Sequence, residues 1–272
     1  MNTSRDVIAV IVSYNPDLSR FQKVVQRARM QVERVIVVDN GSSNISEIEE
    51  QSNNTNVLVL RNDRNMGLAY ALNKGVQVAQ DFSPVFILSL DQDTILYEGA
   101  LSCIFNALEK LRLKEYGLIA LSPRGNTKSF VNERFVITSG SIIKVDVFKL
   151  GVRYRDDFFV DQVDFDFCNK LRKMGFKIFR FDYRLMAHRL GKGILFRGKV
   201  SNYEPSWRFY YIVRNSTVLF KEKALDLRFY IVQILRRFYS SLYNEGFRKS
   251  SKSLILGLCD GIFNRLGYRA PD

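Results

Sequence analysis

Short apolar runs recur along the first two thirds of the chain, and their composition is typical of β-strands. The runs are rich in Val, Ile and Leu, as in strands that are buried on both faces of a sheet. Their bounds are Val7–Val12, Val35–Val38, Val57–Leu60, Val85–Leu90, Phe135–Ser139 and Lys177–Phe181.

Segments with the spacing of amphipathic helices lie between these runs. Apolar residues recur on one face of residues 18–28 and of residues 68–79. A third helix is predicted over Asp161–Met174, with Gly175 as the glycine that ends it. Strands that alternate with helices of this length predict βαβ units, and therefore an α/β fold with a mostly parallel sheet.

The alternation stops near residue 200, and two helices are predicted beyond that point, over Trp207–Lys223 and Leu225–Asn244. We therefore expect an α/β domain over residues 1–200 and a helical tail over residues 201–272. No run of about 18 apolar residues is present, so no membrane-spanning helix is expected.

Polar, turn-forming residues follow three of the predicted strands. They are Ser13-Tyr14-Asn15-Pro16, then Asp39-Asn40-Gly41-Ser42-Ser43, and finally Asp91-Gln92-Asp93. Each segment alone is compatible with an ordinary turn or helix cap. Because ligands of open α/β sheets bind at the carboxyl ends of the strands, the three together favour a shared site.

Asp91 and Asp93 follow a strand that should end inside the domain. Two carboxylates at such a position repel each other and lose solvation unless a cation joins them. Mg²⁺ or Mn²⁺ binds carboxylate oxygens together with substrate phosphates, and such an ion offsets the charge that develops on a diphosphate leaving group. The pattern therefore predicts a divalent cation at Asp91 and Asp93.

The chain has a single histidine, His188, in a segment that also contains Gly191. A lone histidine is more often structural than a ligand. Because this one follows a strand rather than lying on an apolar helix face, its imidazole is a candidate third ligand for the same cation.

Three acids surround the predicted start of the third helix. Asp161 and Asp164 share a face, whereas Asp166 points elsewhere. Acids in a first turn also compensate the helix dipole, and Asp161 could serve that purpose alone. Asp164 is the preferred candidate for a general base, with Asp161 and Asp166 as alternatives.

The charge and the cysteine content indicate which partners and which cellular compartment to expect. The net charge is +13, and the residues from Arg189 onward contain 16 Lys and Arg against six Asp and Glu. A basic, aromatic-rich tail fits an anionic membrane surface or a phosphate-bearing partner. Acids at the strand ends disfavour nucleic acid, because they repel a phosphate backbone. Three widely spaced cysteines indicate a reducing compartment, so a cytoplasmic or peripheral membrane location is expected.

Taken in chain order, these segments resemble the family 2 glycosyltransferases, and among them the bacterial rhamnosyltransferase-like group. The resemblance rests on segments between residues 7 and 191 and on a tail segment that runs from Trp207 to Arg214-Asn215. The matching segments are Val12–Pro16, Val37–Ser42, Asn65–Gly67 with Asn73–Gly75, Leu90–Asp93, Phe159–Cys168, and His188 with Gly191. The chain departs from the group in having Asp-Gln-Asp where Asp-Asp-Asp or Asp-Asp-Ala is usual.

The resemblance implies a GT-A fold and inverting transfer of a sugar from a nucleotide-sugar. It implies that Asp91, Asp93 and His188 hold Mn²⁺ or Mg²⁺ and that Asp164 is the base. The nucleotide-sugar pocket would be formed by Ser13, Tyr14, Asn15, Asp39, Asn65, Gly67, Asp91 and Gln92. The usual donor of the group is dTDP-L-rhamnose, and its acceptors are lipid-linked glycans at the inner face of the bacterial plasma membrane.

Other functions remain open at this stage. The same reaction with another donor, such as a UDP-hexose, requires the same residues. A nucleotidyltransferase is disfavoured, because Ser13–Pro16 supplies no basic, glycine-rich loop for a triphosphate. A peripheral membrane or nucleic-acid-binding protein without catalysis is the alternative from another class. In the tail, the apolar stripe of 225–244 either lies on an anionic membrane or packs on the catalytic domain.

Overall fold

The computed structural model of the protein describes residues 6–111, 115–188 and 205–270, and the backbone of residues 193–196 and 199–202. Gly191 and its immediate neighbours lie outside the described residues, as do the two terminal segments. The fold is an α/β architecture, in agreement with the prediction.

Twelve strands lie within the described residues. They are β1 (Val7–Ser13), β2 (Arg34–Asp39), β3 (Val57–Arg61), β4 (Phe86–Asp91), β5 (Ile95–Leu96), β6 (Tyr116–Ser122), β7 (Asn126–Asn132), β8 (Ser141–Lys144), β9 (Lys177–Arg184), β10 (Met186–Ala187), β11 (Gly193–Phe196) and β12 (Lys199–Asn202).

Eight strands form the central sheet, in the order β3-β2-β1-β4-β8-β6-β9-β7. The pairings within β3-β2-β1-β4 and between β6 and β9 are parallel, whereas the pairings of β8 with β4 and β6 and of β7 with β9 are antiparallel. The sheet is therefore mostly parallel. Two small antiparallel pairs, β5 with β10 and β11 with β12, lie outside it.

Helices cover both faces of the sheet. They are α1 (Leu18–Arg29), α2 (Ile45–Gln51), α3 (Leu68–Gln80), α4 (Ala100–Leu111), α5 (Val145–Lys149), α6 (Val163–Lys173), α7 (Ser206–Lys221) and α8 (Leu227–Ile262), with a short 3-10 helix at Asp156–Phe158. The predicted helix over Asp161–Met174 corresponds to α6, and Gly175 follows it with a φ of 85°.

The core consists of one apolar layer on each face of the sheet. Along β1, Ile8 and Val10 belong to the layer that contains residues of α3 and α6. Val7 and Ala9 belong to the opposite layer, which contains residues of α1 and α4. Because successive side chains of a strand point to opposite faces, a strand covered on both sides must be apolar at every position.

The strand predicted over Phe135–Ser139 is wrong, because this segment is an irregular connection between β7 and β8. Apolar residues of this segment pack in the core, but its backbone does not pair with a neighbouring strand. Val136 is buried in the core, and the Phe135 ring stacks on that of Phe165 with centroids 4.5 Å apart. Apolar content alone does not separate such a buried connection from a strand.

The C-terminal helices pack on each other and on the α/β domain. Val218 and Leu219 of α7 join the core layer of α3 and α6, whereas Phe209 and Val213 pack with Ile234 of α8. Helix α8 is kinked at Gly246, whose φ of 82° and ψ of 171° are not helical. The predicted end at Asn244 therefore falls at the kink, and a second segment continues to Ile262. None of the helices in the described part of the chain is long and apolar enough to cross a bilayer.

Candidate active site

The three polar strand ends meet at one edge of the central sheet. Strands β2, β1 and β4 are neighbours and parallel, with Ser13 opposite Asp39 and Val12 opposite Asp91. Because parallel neighbours end at the same edge, residues that are far apart in the sequence become adjacent there. The structure thus brings together the segments that the sequence singled out.

Asp39 organises the turn that follows β2. One carboxylate oxygen accepts hydrogen bonds from the hydroxyls of Ser13, at 3.0 Å, and Ser42. The other accepts from the backbone N–H groups of Gly41, at 3.1 Å, and Ser42, at 2.9 Å. Both oxygens of this buried side chain therefore have protein partners, and a bound nucleotide would have to share them.

The loop after β1 is fastened to the two neighbouring loops. Asn15 accepts a 2.8 Å hydrogen bond from the backbone N–H of Ser43 through its side-chain oxygen. The backbone N–H of Tyr14 donates to the side-chain oxygen of Gln92 at 2.7 Å. Tyr14 is 46% exposed.

Asn40 connects the turn after β2 with the start of α3, although the sequence analysis gave it no role. Its amide nitrogen donates to the side chain of Asn65, at 2.9 Å, and to the backbone carbonyl of Gly67, at 3.2 Å. Its oxygen accepts from the side chain of Asn62 and the backbone N–H of Met66, each at 3.0 Å. Its position directly after Asp39 was the one available signal.

Gly67 lies where the start of α3 meets the loop before α6. A Cβ at this residue would lie 2.6 Å from the backbone oxygen of Phe159, and its φ is 92°. The N–H of Leu68 donates to that same oxygen at 2.7 Å. Close approach and a positive φ together require glycine here, so the backbone geometry explains the residue type at this position.

Asp91, Asp93 and His188 lie together, with one ligand atom from each within 4.8 Å of the others. Asp91 ends β4, Asp93 lies in the loop that follows, and His188 comes directly after β10. The β5–β10 pair brings His188 to the acids, because Met186 and Ala187 pair with Leu96 and Ile95.

The carboxylates of this cluster are energetically costly without a cation. The pKa of Asp91 is raised to about 6, mainly by burial; the charge of Asp93 contributes to the rise, whereas His188 and Arg208 oppose it. Oδ1 of Asp93 is buried without a hydrogen-bond partner among the described residues. A buried carboxylate oxygen with no donor destabilises the fold unless a cation or a water molecule meets it. The residues therefore fit a divalent cation.

Hydrogen bonds hold the His188 ring beside the acids. Its Nδ1 lies 2.7 Å from the hydroxyl of Thr94, which lies 2.7 Å from the hydroxyl of Ser139. Ser139 accepts in turn from the backbone N–H of Asp91 at 2.8 Å. The same Nδ1 lies 3.5 Å from Oδ1 of Asp93, so the ring is held directly against the acidic cluster. Neither Thr94 nor Ser139 was predicted.

Arg20 joins the two segments that carry the cluster, and it too was missed by the sequence analysis. Its side chain donates from α1 to the backbone oxygen of Asp93 at 2.7 Å and to that of Ala187 at 3.3 Å. One guanidinium thereby sets the spacing between the acidic loop and the residue before His188. Its position on the polar border of an ordinary amphipathic helix gave no signal.

Asp164 lies in the first turn of α6 and is half-buried. Its pKa is raised to about 7, mainly by burial; the charges of Asp161 and Asp91 contribute to the rise, whereas a backbone hydrogen bond from Phe165 opposes it. Because Asp91 contributes to this shift, the potential base and the acidic cluster share one electrostatic environment. A carboxylate with this pKa accepts protons near neutral pH.

The other two acids of this segment have protein partners. Asp161 forms a bidentate ion pair with Arg208 of α7, with contacts of 2.8 to 3.1 Å. Asp166 is buried and paired with Lys170 at 2.6 Å. Of the three candidates for a base, Asp164 alone lacks an ion pair among the described residues.

A curated relative is similar to most of the chain. It is the dTDP-rhamnosyl transferase RfbF of Shigella flexneri, 25% identical over 252 residues, with 85% of each protein covered.

Solved structures of S. aureus TarS resemble the fold. TarS 1–349 matches with a TM-score of 0.58 and 14% identity, covering 96% of this chain and 82% of that one. Its complex with UDP-GlcNAc matches with the same TM-score and 16% identity, covering 94% and 80%.

The sequence model of glycosyl transferase family 2 matches residues 8–200. This range begins in β1 and includes all three strand ends, the Asp91-Asp93-His188 cluster and Asp164. Because the match extends over most of the chain, the chain belongs to glycosyl transferase family 2.

Proposed function

We propose that this glycosyltransferase moves L-rhamnose from dTDP-L-rhamnose to a hydroxyl of a lipid-linked glycan precursor of the bacterial cell surface, with inversion at the anomeric carbon. The observation that carries the proposal is that Asp164, a half-buried carboxylate with a raised pKa, lies within electrostatic reach of Asp91, which belongs to the Asp91-Asp93-His188 cluster. A proton acceptor and a site for a diphosphate-bound cation are the two groups this reaction needs.

The donor is proposed from the comparisons. The name of RfbF specifies a dTDP-rhamnosyl transferase, although identity to it is only 25%. TarS, which has a similar fold, was solved with UDP-GlcNAc, and this supports a nucleotide-sugar as the donor class. A UDP-hexose is the alternative donor, because the selection between sugars depends on pocket shape rather than on the acids.

The nucleotide-sugar is proposed to bind along the three strand ends. Its pocket comprises Ser13, Tyr14, Asn15, Asp39, Asn65, Gly67, Asp91 and Gln92. The exposed ring of Tyr14 offers a stacking surface for a base. Asp39 acts mainly by shaping the turn, because both of its oxygens already accept hydrogen bonds from the protein.

Asp91, Asp93 and His188 are proposed to hold Mn²⁺ or Mg²⁺. When bound there, the ion offsets the negative charge that develops on the departing nucleotide diphosphate. The protein contributes the placement of its ligands: Thr94 orients the imidazole, and Arg20 fixes the distance between the acidic loop and Ala187. Two carboxylates and a neutral imidazole suit both ions, so the residues do not select between them.

Asp164 is proposed to accept the proton of the acceptor hydroxyl as its oxygen attacks the anomeric carbon. The carbon–oxygen bond to the sugar forms while the bond to the diphosphate breaks, and the electron pair leaves with the diphosphate. Attack from the face opposite the leaving group inverts the configuration. Because the pKa of Asp164 is raised to about 7, the carboxylate is basic enough to assist this step near neutral pH.

The C-terminal helices are proposed to hold the enzyme on the cytoplasmic face of an anionic membrane, where a lipid-linked acceptor is found. In the first segment of α8, Ile231, Leu235 and Tyr239 are about half exposed or more, and the exposed Arg228 and Arg236 lie among them. An apolar stripe with adjacent cations is the pattern of an interfacial helix. Ile234, in contrast, packs on α7. Part of the predicted apolar stripe therefore packs within the protein, and the exposed part is proposed to lie on the membrane.

A donor panel tests this function. Purified protein is mixed with Mn²⁺ and dTDP-rhamnose, UDP-galactose, UDP-glucose or UDP-GlcNAc, and both the melting temperature and donor hydrolysis are followed. We expect the largest stabilisation and the fastest hydrolysis with dTDP-rhamnose, each dependent on Mn²⁺. A preference for a UDP-sugar would replace the proposed donor, and the absence of turnover with every donor would support a non-catalytic membrane protein.

A further inference from the structure

The loop between the 3-10 helix and α6 has an unfavourable backbone conformation. Phe159 has a φ of 63° and a ψ of −65°, and Asp161 and Gln162 have φ values of 59° and 62°. The N–H of Val160 donates to the carbonyl of Phe158 at 2.7 Å, which closes a γ-turn around Phe159. Residues with side chains avoid this region, so such a conformation persists only where surrounding contacts enforce it.

Two buried residues of α7 supply those contacts. The side-chain amide of Asn215 donates to the backbone oxygens of Phe158, Val160 and Asp161 at 3.1, 2.8 and 2.9 Å. The guanidinium of Arg214 donates to the oxygen of Phe158 at 2.9 Å. Arg214 and Asn215 are 1% and 0% exposed, so these hydrogen bonds are shielded from water.

The loop is also fixed from its opposite side and at its end. The Phe159 oxygen accepts from the N–H of Leu68, and the Phe159 backbone leaves no space for a Cβ at Gly67. At the end of the loop, the Arg208 side chain binds Asp161 through a bidentate ion pair. The segment is therefore held between α3 and α7.

The same pair of α7 residues is tied to the C-terminal segment. Arg214 donates to the backbone oxygen of Gly267 at 2.7 Å, and the Gly267 N–H donates to the oxygen of Asp157 at 2.7 Å. The segment after α8 is therefore attached to the 3-10 helix that directly precedes the loop.

The loop conformation determines where Asp164 lies. Gln162 immediately precedes α6, and Asp164 is the second residue of that helix. A change of φ at Asp161 or Gln162 rotates the direction in which α6 begins and moves the carboxylate with it. We infer that Arg214 and Asn215 are positioning residues that hold the strained loop so that Asp164 meets the acceptor hydroxyl. This inference rests on the proposed role of Asp164 as the base.

A purely structural role is the competing explanation, since the same contacts also attach α7 to the domain. A matched control separates the two roles. Thr217 is likewise a buried polar residue of α7, but its hydroxyl bonds to the Val213 oxygen and lies 3.0 Å from the Tyr230 hydroxyl, away from the loop. Thr217→Val should lower the melting temperature without altering the loop.

The test compares Asn215→Ala and Arg214→Lys with Thr217→Val in the full chain. For each variant, kcat, the Kd for the donor with Mn²⁺ and hydrogen–deuterium exchange of residues 157–164 are measured. We expect kcat of Asn215→Ala to fall by about 100-fold, because misplacement of a reacting group by about 1 Å costs that much. Donor Kd should stay within about threefold, exchange of the loop should accelerate, and Arg214→Lys should show a smaller effect of the same kind.

A second substitution tests whether strain is the cause. Glycine adopts a positive φ without cost, so Gln162→Gly added to Asn215→Ala should restore about tenfold of the lost kcat. A variant that fails to fold is replaced by Arg214→Lys with the same readouts.

Two results would overturn the inference. Asn215→Ala could be as active as Thr217→Val, or it could lose activity only in proportion to donor binding, with loop exchange unchanged. If Asp164→Asn is inactive while Asn215→Ala is fully active, the positioning role alone is wrong. If Asp164→Asn is fully active, the proposed base is wrong, and the inference falls with it.

Discussion

Removing the charge of Asp93 should have opposite effects on the stability of the protein with and without metal. Asp93→Asn keeps the size of the side chain but removes one negative charge. Without metal, the variant should be as stable as the wild type or more so, because the charge of Asp93 repels that of Asp91 and its Oδ1 has no hydrogen-bond partner among the described residues. A purely structural acid would show the reverse.

The magnitude follows from ligand linkage. Mn²⁺ at 100 times its Kd stabilises the wild type by about 2.7 kcal/mol. For a chain of this size, that is a rise in Tm of roughly 5–10 °C. If the loss of one ligand charge weakens binding about 100-fold, the same Mn²⁺ concentration stabilises Asp93→Asn by only about 0.4 kcal/mol, or about 1 °C.

Low pH should likewise weaken the binding of Mn²⁺ to the wild type. The pKa of Asp91 is raised to about 6 in the metal-free protein, so a proton must leave before the cation binds. Protonated Asp91 predominates below this value, and the apparent Kd for Mn²⁺ should therefore increase about tenfold for each pH unit below 6. Above pH 7 the Kd should be nearly constant with respect to this group.

Thermal unfolding scans with and without Mn²⁺, at pH 5.0, 6.0 and 7.5, measure the stability without metal, the stabilisation by Mn²⁺ and the pH dependence of Mn²⁺ binding. Asp146→Asn is the control, because Asp146 pairs with Lys149 on the exposed surface. It should respond to Mn²⁺ as the wild type does. The reasoning is refuted if Asp93→Asn melts several degrees lower without metal and then gains as much from Mn²⁺ as the wild type.

Two further predictions concern the base and the tail. Asp164→Asn should reduce kcat by about 10²- to 10⁴-fold and leave the donor Kd nearly unchanged, as measured by steady-state kinetics and calorimetry. The wild-type kcat/KM at saturating metal should rise with pH and reach half of its maximum at or below about pH 7, because the pKa of Asp164 is raised to about 7, mainly by burial, and a bound cation lowers it. Equal losses in kcat and donor binding would argue against a base. Replacing both Arg228 and Arg236 by Glu should weaken cosedimentation with anionic vesicles by at least about 30-fold, at about 1 kcal/mol for each cation removed, while hydrolysis of soluble donor persists. Lys23→Glu, on the exposed side of α1, is the control, and unchanged vesicle binding of the double variant would assign α8 to packing alone.

The two C-terminal helices pack on each other and on the α/β domain, and α8 is also proposed to contact the membrane. Helix α7 is buried along most of its length, whereas α8 exposes apolar residues on one side. Gly257 of α8 permits the close approach of the two helices, since a Cβ there would lie 2.8 Å from the Tyr210 oxygen. The helix that contacts the loop before α6 is therefore covered by the helix that is proposed to contact the membrane.

Much of the fold could be predicted because its physics is local. Strands covered on both faces must be apolar throughout, so Val7–Val12 and Val35–Val38 were identified directly, although the buried strands β6 and β8 were not recognised. The same rule failed at Phe135–Ser139, where apolar residues fill the space between other elements without pairing. Strand β7 was missed for the converse reason, because it is an exposed edge strand with the polar composition of a loop.

The sequence alone determined which residue types could carry the chemistry. Strand-end acids, a single histidine and a carboxylate at the start of a helix are unusual enough in their order to single out Asp91, Asp93, His188 and Asp164. Tertiary structure decided what surrounds them. Arg20, Thr94, Asn40 and Asn215 are ordinary polar residues in the sequence, and they matter only because folding places their donors beside particular backbone or side-chain atoms. A hydrogen bond depends on distances of a few tenths of an ångström between residues far apart in the chain, and no periodicity along the sequence encodes such a distance.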